Sequence, residues 1–419
     1  MHYFQIKKSS LMADLEEPST TTARFLNAGE RELLGGAVVL ASYPRSGNSL
    51  FRDVCERITG VVTGSDVRPD RALSRALTRA GLRGEGTIDD KVLLVKTHYP
   101  ERRGYAPLSA RRIVLLVRNP LDSLVSYFNM MCTMSHTTSI EESEYERFRA
   151  EWDGFVAEEI EMWHRFNSWW MDRADSLGIP LVIIRYEDIV RSRRATADAL
   201  INFLLPNDVD AVDTKAAAAA DVDVEEAAAA SGSGEVAPLP PIAGLGDDAA
   251  VRRRWLRSCW KARAAHLYVS EEEGTQIGAY RPRTGVVRIG ASRDKYTKAQ
   301  LAAMRANLPL RVQLDHFGYA GAIAETTAAM AAAEPLATSA VSAPPRLLTS
   351  ASSRVTFNDG AGFRPRTQAD PHARGFPWKK RVIKEIRTVR SAASASASAP
   401  PPPAASAPAA PRRASLQTL

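Results

Sequence analysis

The sequence predicts an α/β fold in three layers, a central parallel sheet covered by helices on both faces. Two observations predict it. Four short runs rich in Val, Ile and Leu, "GAVVLAS" (36–42), "KVLLVK" (91–96), "RIVLLVR" (112–118) and "PLVIIR" (180–185), lack polar alternation. Strands buried on both faces have that composition. Helical stretches separate them, as the crossovers of a parallel sheet require.

The elements follow in order. Residues 1–35 read as a polar, disordered leader. After the first strand, "SLFRDVCERITG" reads as a helix stopped by Gly60. Residues 151–177 set Trp152, Phe155, Val156, Trp163, Phe166, Trp170 and Leu177 mostly on one side of a long helix, the spacing of a core-facing stripe. A shorter helix fits 193–204. "AAAAADVDVEEAAAASGSGEVAPLPP" then reads as a disordered acidic insertion, bounded at 207–250, where 10 Asp/Glu against 1 Lys give −9. Order is expected to resume near "VRRRWLRSCWKARAAHLY" and to run to about Tyr319. One domain, 36–320, therefore carries the insertion and is followed by a disordered Ala/Ser/Pro-rich tail, 321–419. Within that tail "PWKKRVIKEIRTVR" is a solvated charge run or a short basic helix for a membrane surface or an acidic partner.

Composition bounds the rest. At 419 residues and 45% apolar the chain can bury a large core. Its net charge of +7 hides the acidic insertion and a tail of +8 over 325–419, so the folded part is basic as well. Solvated surface charge is the ordinary source of such a balance, and no nucleic-acid partner is expected. Cys55, Cys132 and Cys259 have no paired or metal-like spacing, which fits a reducing compartment. With no apolar run of membrane-spanning length, the expected location is cytoplasmic.

In an open α/β sheet, ligands bind beyond the carboxyl ends of the strands. "SYPRSGNS" (42–49) follows the first strand and opens a helix, as a phosphate-binding loop does. It departs from G-x-x-x-x-G-K-[ST], with Ser42 at the first glycine and Asn48 at the lysine. Arg45 supplies a cation earlier, and amides around Gly47 can still cradle an anion. The second strand runs into Lys96, Thr97 and His98. The third ends in Arg118 and the fourth in Arg185, followed by "YED". A magnesium-dependent NTPase ends a strand in a metal-holding Asp. Here the sheet edge offers Arg45, Lys96, His98 and Arg118 instead, a set suited to an anion held by side chains without metal.

These segments resemble, in order and over about 36–206, the motifs of sulfotransferases that use 3′-phosphoadenosine-5′-phosphosulfate (PAPS). "SYPRSGNS" resembles their 5′-phosphosulfate loop, "VKTHYP" the segment with the general-base histidine, "VRNPLDSLVSYF" the 3′-phosphate segment, and "RYEDI" the segment whose tyrosine lies near adenine. The resemblance implies a P-loop-like fold and a metal-free sulfuryl transfer from PAPS, leaving PAP. It implies His98, Lys96 and Arg45 as catalytic. It implies Arg45, Ser46, Gly47, Asn48, Ser49, Arg118, Ser126, Tyr186 and Arg283 as nucleotide-binding, Arg283 through "RPRTGVVRIGASRDKYT", where Arg288 with Gly290 is the second match. Arg45 stands where the family has lysine. Leu50 stands where it has the adenine-stacking tryptophan, with Phe51 or another aromatic as the substitute.

The expected acceptor is a hydroxyl or amine of a small molecule, a carbohydrate or a protein, met by the loops at 60–90, 128–150 and after 250. Met130, Met131 and Met134 either line an adaptable apolar pocket for it or simply pack. Two other classes compete: a P-loop nucleotide kinase or NTPase, and a non-catalytic PAPS- or phosphate-binding adaptor acting through its basic tail.

Overall fold

A computed structural model describes residues 23–102, 104–106, 108–205, 239–245, 248–272, 290–324, 347–348, 355–357 and 378–397. Its strands are β1 (Val38–Ser42), β2 (Gly64–Ser65), β3 (Leu94–Thr97), β4 (Leu108–Ala110), β5 (Arg112–Val117), β6 (Leu181–Arg185), β7 (Leu347–Leu348) and β8 (Val355–Phe357). Its helices are α1 (Glu30–Leu33), α2 (Asn48–Thr59), α3 (Ala72–Arg79), α4 (Pro120–Thr133), α5 (Glu142–Arg147) and α6 (Arg149–Leu177). They continue with α7 (Tyr186–Arg191), α8 (Arg193–Leu204), α9 (Ala249–Glu272), α10 (Lys298–Ala306), α11 (Leu308–His316) and α12 (Lys379–Ala397).

The central sheet has the order β2-β3-β1-β5-β6-β7. Its first five strands run parallel and β7 antiparallel, while β4 and β8 form a separate antiparallel ribbon. The four apolar runs are thus the four long parallel strands, and the α/β fold with its parallel sheet is as expected. Successive residues of a strand face opposite ways, and both ways are apolar here. Val39, Ala41, Val95, Ile113 and Leu115 join Phe128, Trp152, Phe155, Trp163, Phe166 and Trp170 of α4 and α6. Val38, Leu40, Leu94, Val114 and Leu116 join Phe51, Val54 and Ile58 of α2, Leu200 and Leu204 of α8, and Trp260 of α9. The three layers follow directly. From β3 the chain passes β1 and continues at β5, so the order reverses at β1 and opens a crevice beyond its carboxyl end.

At three places the ordered body extends beyond the boundaries expected from composition. The leader expected over 1–35 is folded from residue 23. Ala23, Leu26 and Leu34 are buried, and the buried Glu30 carboxylate holds Arg24 at 2.7 Å. The same carboxylate receives Ile242 N–H, and Arg24 Nε donates to Leu239 O at 2.8 Å, so the end of the expected 207–250 insertion is docked too. Leu239 and Ile242 are buried in the core that holds α2 and α9. Within the tail expected to be disordered over 321–419, α12 packs on α4 through Val382 and Ile386, one helical turn apart. The Trp378 ring lies 5.4 Å from that of Phe128, and Arg147 meets Glu385 at 2.9 Å. In each case two or three buried apolar residues inside a biased sequence take part in the docking, each contributing about 1.5–3 kcal/mol. Averaged composition does not register them. The remainder of the expected leader, insertion and tail lies mostly outside the described residues.

Candidate active site

Beyond β1, β3, β5 and β6 the strand ends bring the expected residues to one edge. The β1 exit turns sharply, with Arg45 at φ 67° and Gly47 at φ 95°. Gly47 caps α2 with no side-chain hydrogen bond, so the first-turn amides face the crevice without a competing side-chain oxygen. A Cβ on Gly47 would stand 2.3 Å from Cδ2 of Tyr186. Only glycine allows both this backbone and this approach. We therefore expect Gly47→Ala to destabilise the fold by about 1–3 kcal/mol through strain at the loop. Urea unfolding reads that value, and an unchanged midpoint would refute the packing argument.

Tyr186 opens α7 directly after β6 and is buried. The Arg118 guanidinium lies 4.3 Å above its ring, a cation–π stack, while NH1 of Arg118 donates to Arg45 O at 3.0 Å. Arg45 in turn donates from Nε to Ser126 Oγ of α4 at 3.1 Å. Arg45, Arg118, Ser126 and Tyr186 thus form one connected group. The N-terminus of α4 is set beside it by Asn119, whose side chain accepts Leu121 N–H at 3.0 Å and whose own amide donates to Glu187 at 3.0 Å.

Lys96 and His98 stand at the end of β3. His98 Nδ1 is 2.6 Å from the carbonyl oxygen of Ser42. A carbonyl only accepts, so Nδ1 carries the hydrogen and Nε2 the lone pair. Burial, with Lys96, Arg102 and Arg45 adding positive charge, holds His98 well below the usual histidine range. It is therefore neutral at pH 7. Lys96 is buried, and that burial lowers it to about 8, against the pull of Glu85 and Asp66. Thr97 does not face the crevice chemistry. Its hydroxyl donates to Asp66 at 2.6 Å and accepts Tyr99 N–H at 2.9 Å, while Trp170 Nε1 of α6 donates to Tyr99 O at 2.8 Å. The turn that carries His98 is braced from both sides.

The buried Ser46 hydroxyl makes no hydrogen bond among the described residues. An unpaired buried donor, a helix N-terminus without a side-chain cap and three cationic side chains are what a bound phosphosulfate would satisfy, so the residues present fit the nucleotide. Asn48 and Ser49 lie half-buried in the first turn of α2. Phe51 is fully buried in the core on the α2 face and does not reach an adenine, which corrects its reading as a stacking substitute. Arg283 and Arg288 lie outside the described residues. Gly290 does not: its amide donates to Asp122 in the first turn of α4 at 2.7 Å, which anchors the end of that segment near Ser126. Met130 and Met131 pack in the core, and Met134 is exposed. It lines an open groove of about 750 Å³ with Lys379, Lys380, Ile383, Lys384 and Arg387.

Two residues of the site escaped sequence reasoning. His136 binds Arg45, and nothing in "MSHTTS" marks it. The buried Glu159 of α6 accepts the Tyr43 hydroxyl. Its signal was present, an acid in the apolar stripe that runs through Phe155, Val156, Met162 and Trp163.

A switch-point crevice edged by cations thus lies at the mouth of a parallel α/β sheet, beyond a loop of nucleotide-loop type. Comparison adds a likeness: residues 85–214 match the model of the sulfotransferase domain, in keeping with the resemblance of its motifs. That match spans His98, Lys96, Arg118, Ser126 and Tyr186; the loop at 42–49 lies before it. Curated relatives include "WSCD family member CG9164" of Drosophila melanogaster, 28% identical over 172 residues, 41% of this chain and 51% of that protein. "WSCD family member GA21586" of Drosophila pseudoobscura pseudoobscura is 29% identical over 166 residues, 39% and 49% of the two chains. "WSCD family member AAEL009094" of Aedes aegypti is 27% identical over 182 residues, 43% and 54%. The chain spans about half the length of the curated relatives it matches. Among the described residues no helix is long and apolar enough to cross a membrane, and no cluster of His, Cys, Asp and Glu could hold a metal ion.

Proposed function

We propose that this chain transfers the sulfuryl group of PAPS to a hydroxyl or amine, with His98 as general base. The observation that carries the reading is the bond from His98 Nδ1 to Ser42 O, which leaves Nε2 as a neutral proton acceptor beside Lys96. Bound PAPS supplies an activated sulfuryl group whose leaving group is PAP. His98 Nε2 takes the acceptor's proton as the acceptor attacks sulfur in line. Lys96 supplies positive charge to the sulfuryl and leaving oxygens. Ser46, Gly47, Asn48 and Ser49 hold the 5′ end with the amides of α2. Arg118, stacked on Tyr186, and Ser126 meet the 3′-phosphate; Arg283 is the further residue that the motif resemblance assigns to the nucleotide. A sulfuryl group carries less negative charge than a phosphoryl group, so these cations serve without magnesium. We further propose 36–320 as the catalytic unit. The acceptor, a small molecule, carbohydrate or protein, would enter beside the loop at 134–139, where α12 offers its cations to acidic surfaces.

The test is thermal unfolding with excess EDTA. PAP should raise the melting temperature, and ATP, which lacks the 3′-phosphate, should raise it less. Equal shifts, or a strict need for magnesium, would favour the NTPase reading. Transfer of labelled sulfuryl from PAPS to lipid, carbohydrate, phenol or protein pools separates an enzyme from an adaptor. Arg118→Ala should cut the preference for PAP over AMP by about 10–100-fold, the worth of one charge-assisted contact. Calorimetric titration of both nucleotides reads it, and an intact preference would remove Arg118 from the 3′-phosphate site.

A further inference from the structure

We infer that His136 is a positioning residue that turns the Arg45 guanidinium onto Ser126 and so assigns Arg45 to the 3′-phosphate of the nucleotide. The inference rests on the PAPS reading above. Arg45 projects from the loop that opens α2, yet its guanidinium does not lie along that loop. Nε donates to Ser126 Oγ at 3.1 Å, NH1 to His136 Nδ1 at 2.9 Å and NH2 to the His136 carbonyl at 2.9 Å. A planar fork is needed to bridge a hydroxyl on α4 and a ring nitrogen on the next loop. Lysine, a single ammonium on a flexible stem, has no such geometry. The arginine at position 45, a departure from the family's lysine, is thereby matched to its surroundings.

His136 is built to hold this fork. An arginine only donates, so Nδ1 accepts and Nε2 carries the ring hydrogen. Burial, reinforced by Arg45 and Lys96, lowers the ring to about 4, which keeps Nδ1 available as an acceptor at neutral pH. The loop that presents it is itself closed. Met134 ends α4 at φ 54°, Thr133 Oγ1 accepts Ser135 N–H at 3.2 Å, and Ser135 Oγ accepts the amides of Thr137 and Thr138, each at 3.2 Å. Ile140 N–H returns to Asn129 Oδ1 of α4 at 2.8 Å. His136 is therefore fixed relative to α4, as is Ser126. Arg118 holds the Arg45 carbonyl from the other side at 3.0 Å. Arg45, Arg118 and Ser126 converge as one anion-reading group, and His136 determines that Arg45 belongs to it.

The experiment is calorimetric titration of full-length protein with PAP and with AMP, which differs at the 3′ position alone. Wild type should bind PAP more tightly. His136→Ala should lower the PAP-to-AMP affinity ratio by about tenfold, by releasing one charge-assisted contact, and leave AMP binding unchanged. His136→Asn, whose side-chain oxygen can replace Nδ1 as acceptor, should retain most of the ratio. Arg45→Ala should lower it as well, and adding His136→Ala to Arg45→Ala should lower it no further, since the histidine acts through the arginine. Arg45→Lys, which keeps the charge without the fork, should also lose the ratio, and serves should His136→Ala not fold. An unchanged ratio in His136→Ala, a parallel loss for PAP and AMP, or additive effects in the double variant would overturn the inference. Wild type with no preference for PAP would overturn the PAPS reading and this inference with it.

Discussion

Replacing His98 with alanine should lower the turnover of sulfuryl transfer by about 10²–10⁴-fold, the usual worth of a general base, while PAP affinity changes little. The separation follows from position. His98 stands at the end of β3, whereas the groups proposed to meet the phosphates stand on the β1 loop, after β5 and on α4. The bond from Nδ1 to Ser42 O fixes both the tautomer and the ring plane, so Nε2 is the basic atom. Burial and the adjacent cations disfavour the imidazolium, which keeps the base free at neutral pH. The sign of the pH dependence follows. With the proton affinity of His98 depressed, kcat/KM of wild type should hold down to below pH 6.5 and fall only as pH drops through the lowered value. That acid limb should be missing from the residual activity of the variant. His98→Asn keeps a side chain able to donate to Ser42 O but offers no base, and should lose as much turnover as alanine. Substantial activity in the asparagine variant would mean that the imidazole serves only to brace the loop. Near-normal turnover in both would sink the general-base assignment.

The sequence carried the sheet because parallel strands covered on both faces are apolar throughout, and that is a local property of 36–42, 91–96, 112–118 and 180–185. The strand-end cations were legible for the same reason: each sits within a few residues of a recognisable strand, and topology places ligands there. What the sequence concealed depends on contacts between distant segments. Glu30 holds Arg24 and Ile242 in one buried group, across more than two hundred residues, and neither side predicts the other. Val382 and Ile386 are an ordinary i, i+4 pair that becomes an interface only because α4 leaves an apolar patch for them. His136 escaped because its partner is 91 residues away and its own loop has no periodicity. Phe51 was misjudged because adjacency to the nucleotide loop in sequence does not decide which way a helix turns its side chain. In α2, Phe51 and Val54 face the sheet, which takes that ring out of the crevice.

Replacing Lys96 with alanine should reduce turnover by about 10²–10³-fold, the loss expected for one group aimed at charge that develops in the transition state. The cause differs from that of His98, and pH distinguishes the two. Burial holds Lys96 at about 8 despite Glu85 and Asp66 nearby. Below that pH the ammonium is present and the enzyme active; as pH rises through about 8 the charge is lost, so wild-type kcat/KM should decline there. Lys96→Ala should have no such decline, because there is no charge left to lose. Lys96→Arg retains the charge across this range and should move the decline to higher pH in whatever activity it keeps. The substitution also touches a buried ionic group, since Arg52 pairs with Glu85 beside Lys96. That pair remains in the variant, so thermal unfolding should confirm a folded protein before kinetics are read. A basic limb near pH 8 that persists unchanged in both Lys96 variants would assign that titration to another group and remove Lys96 from the charge-stabilising role.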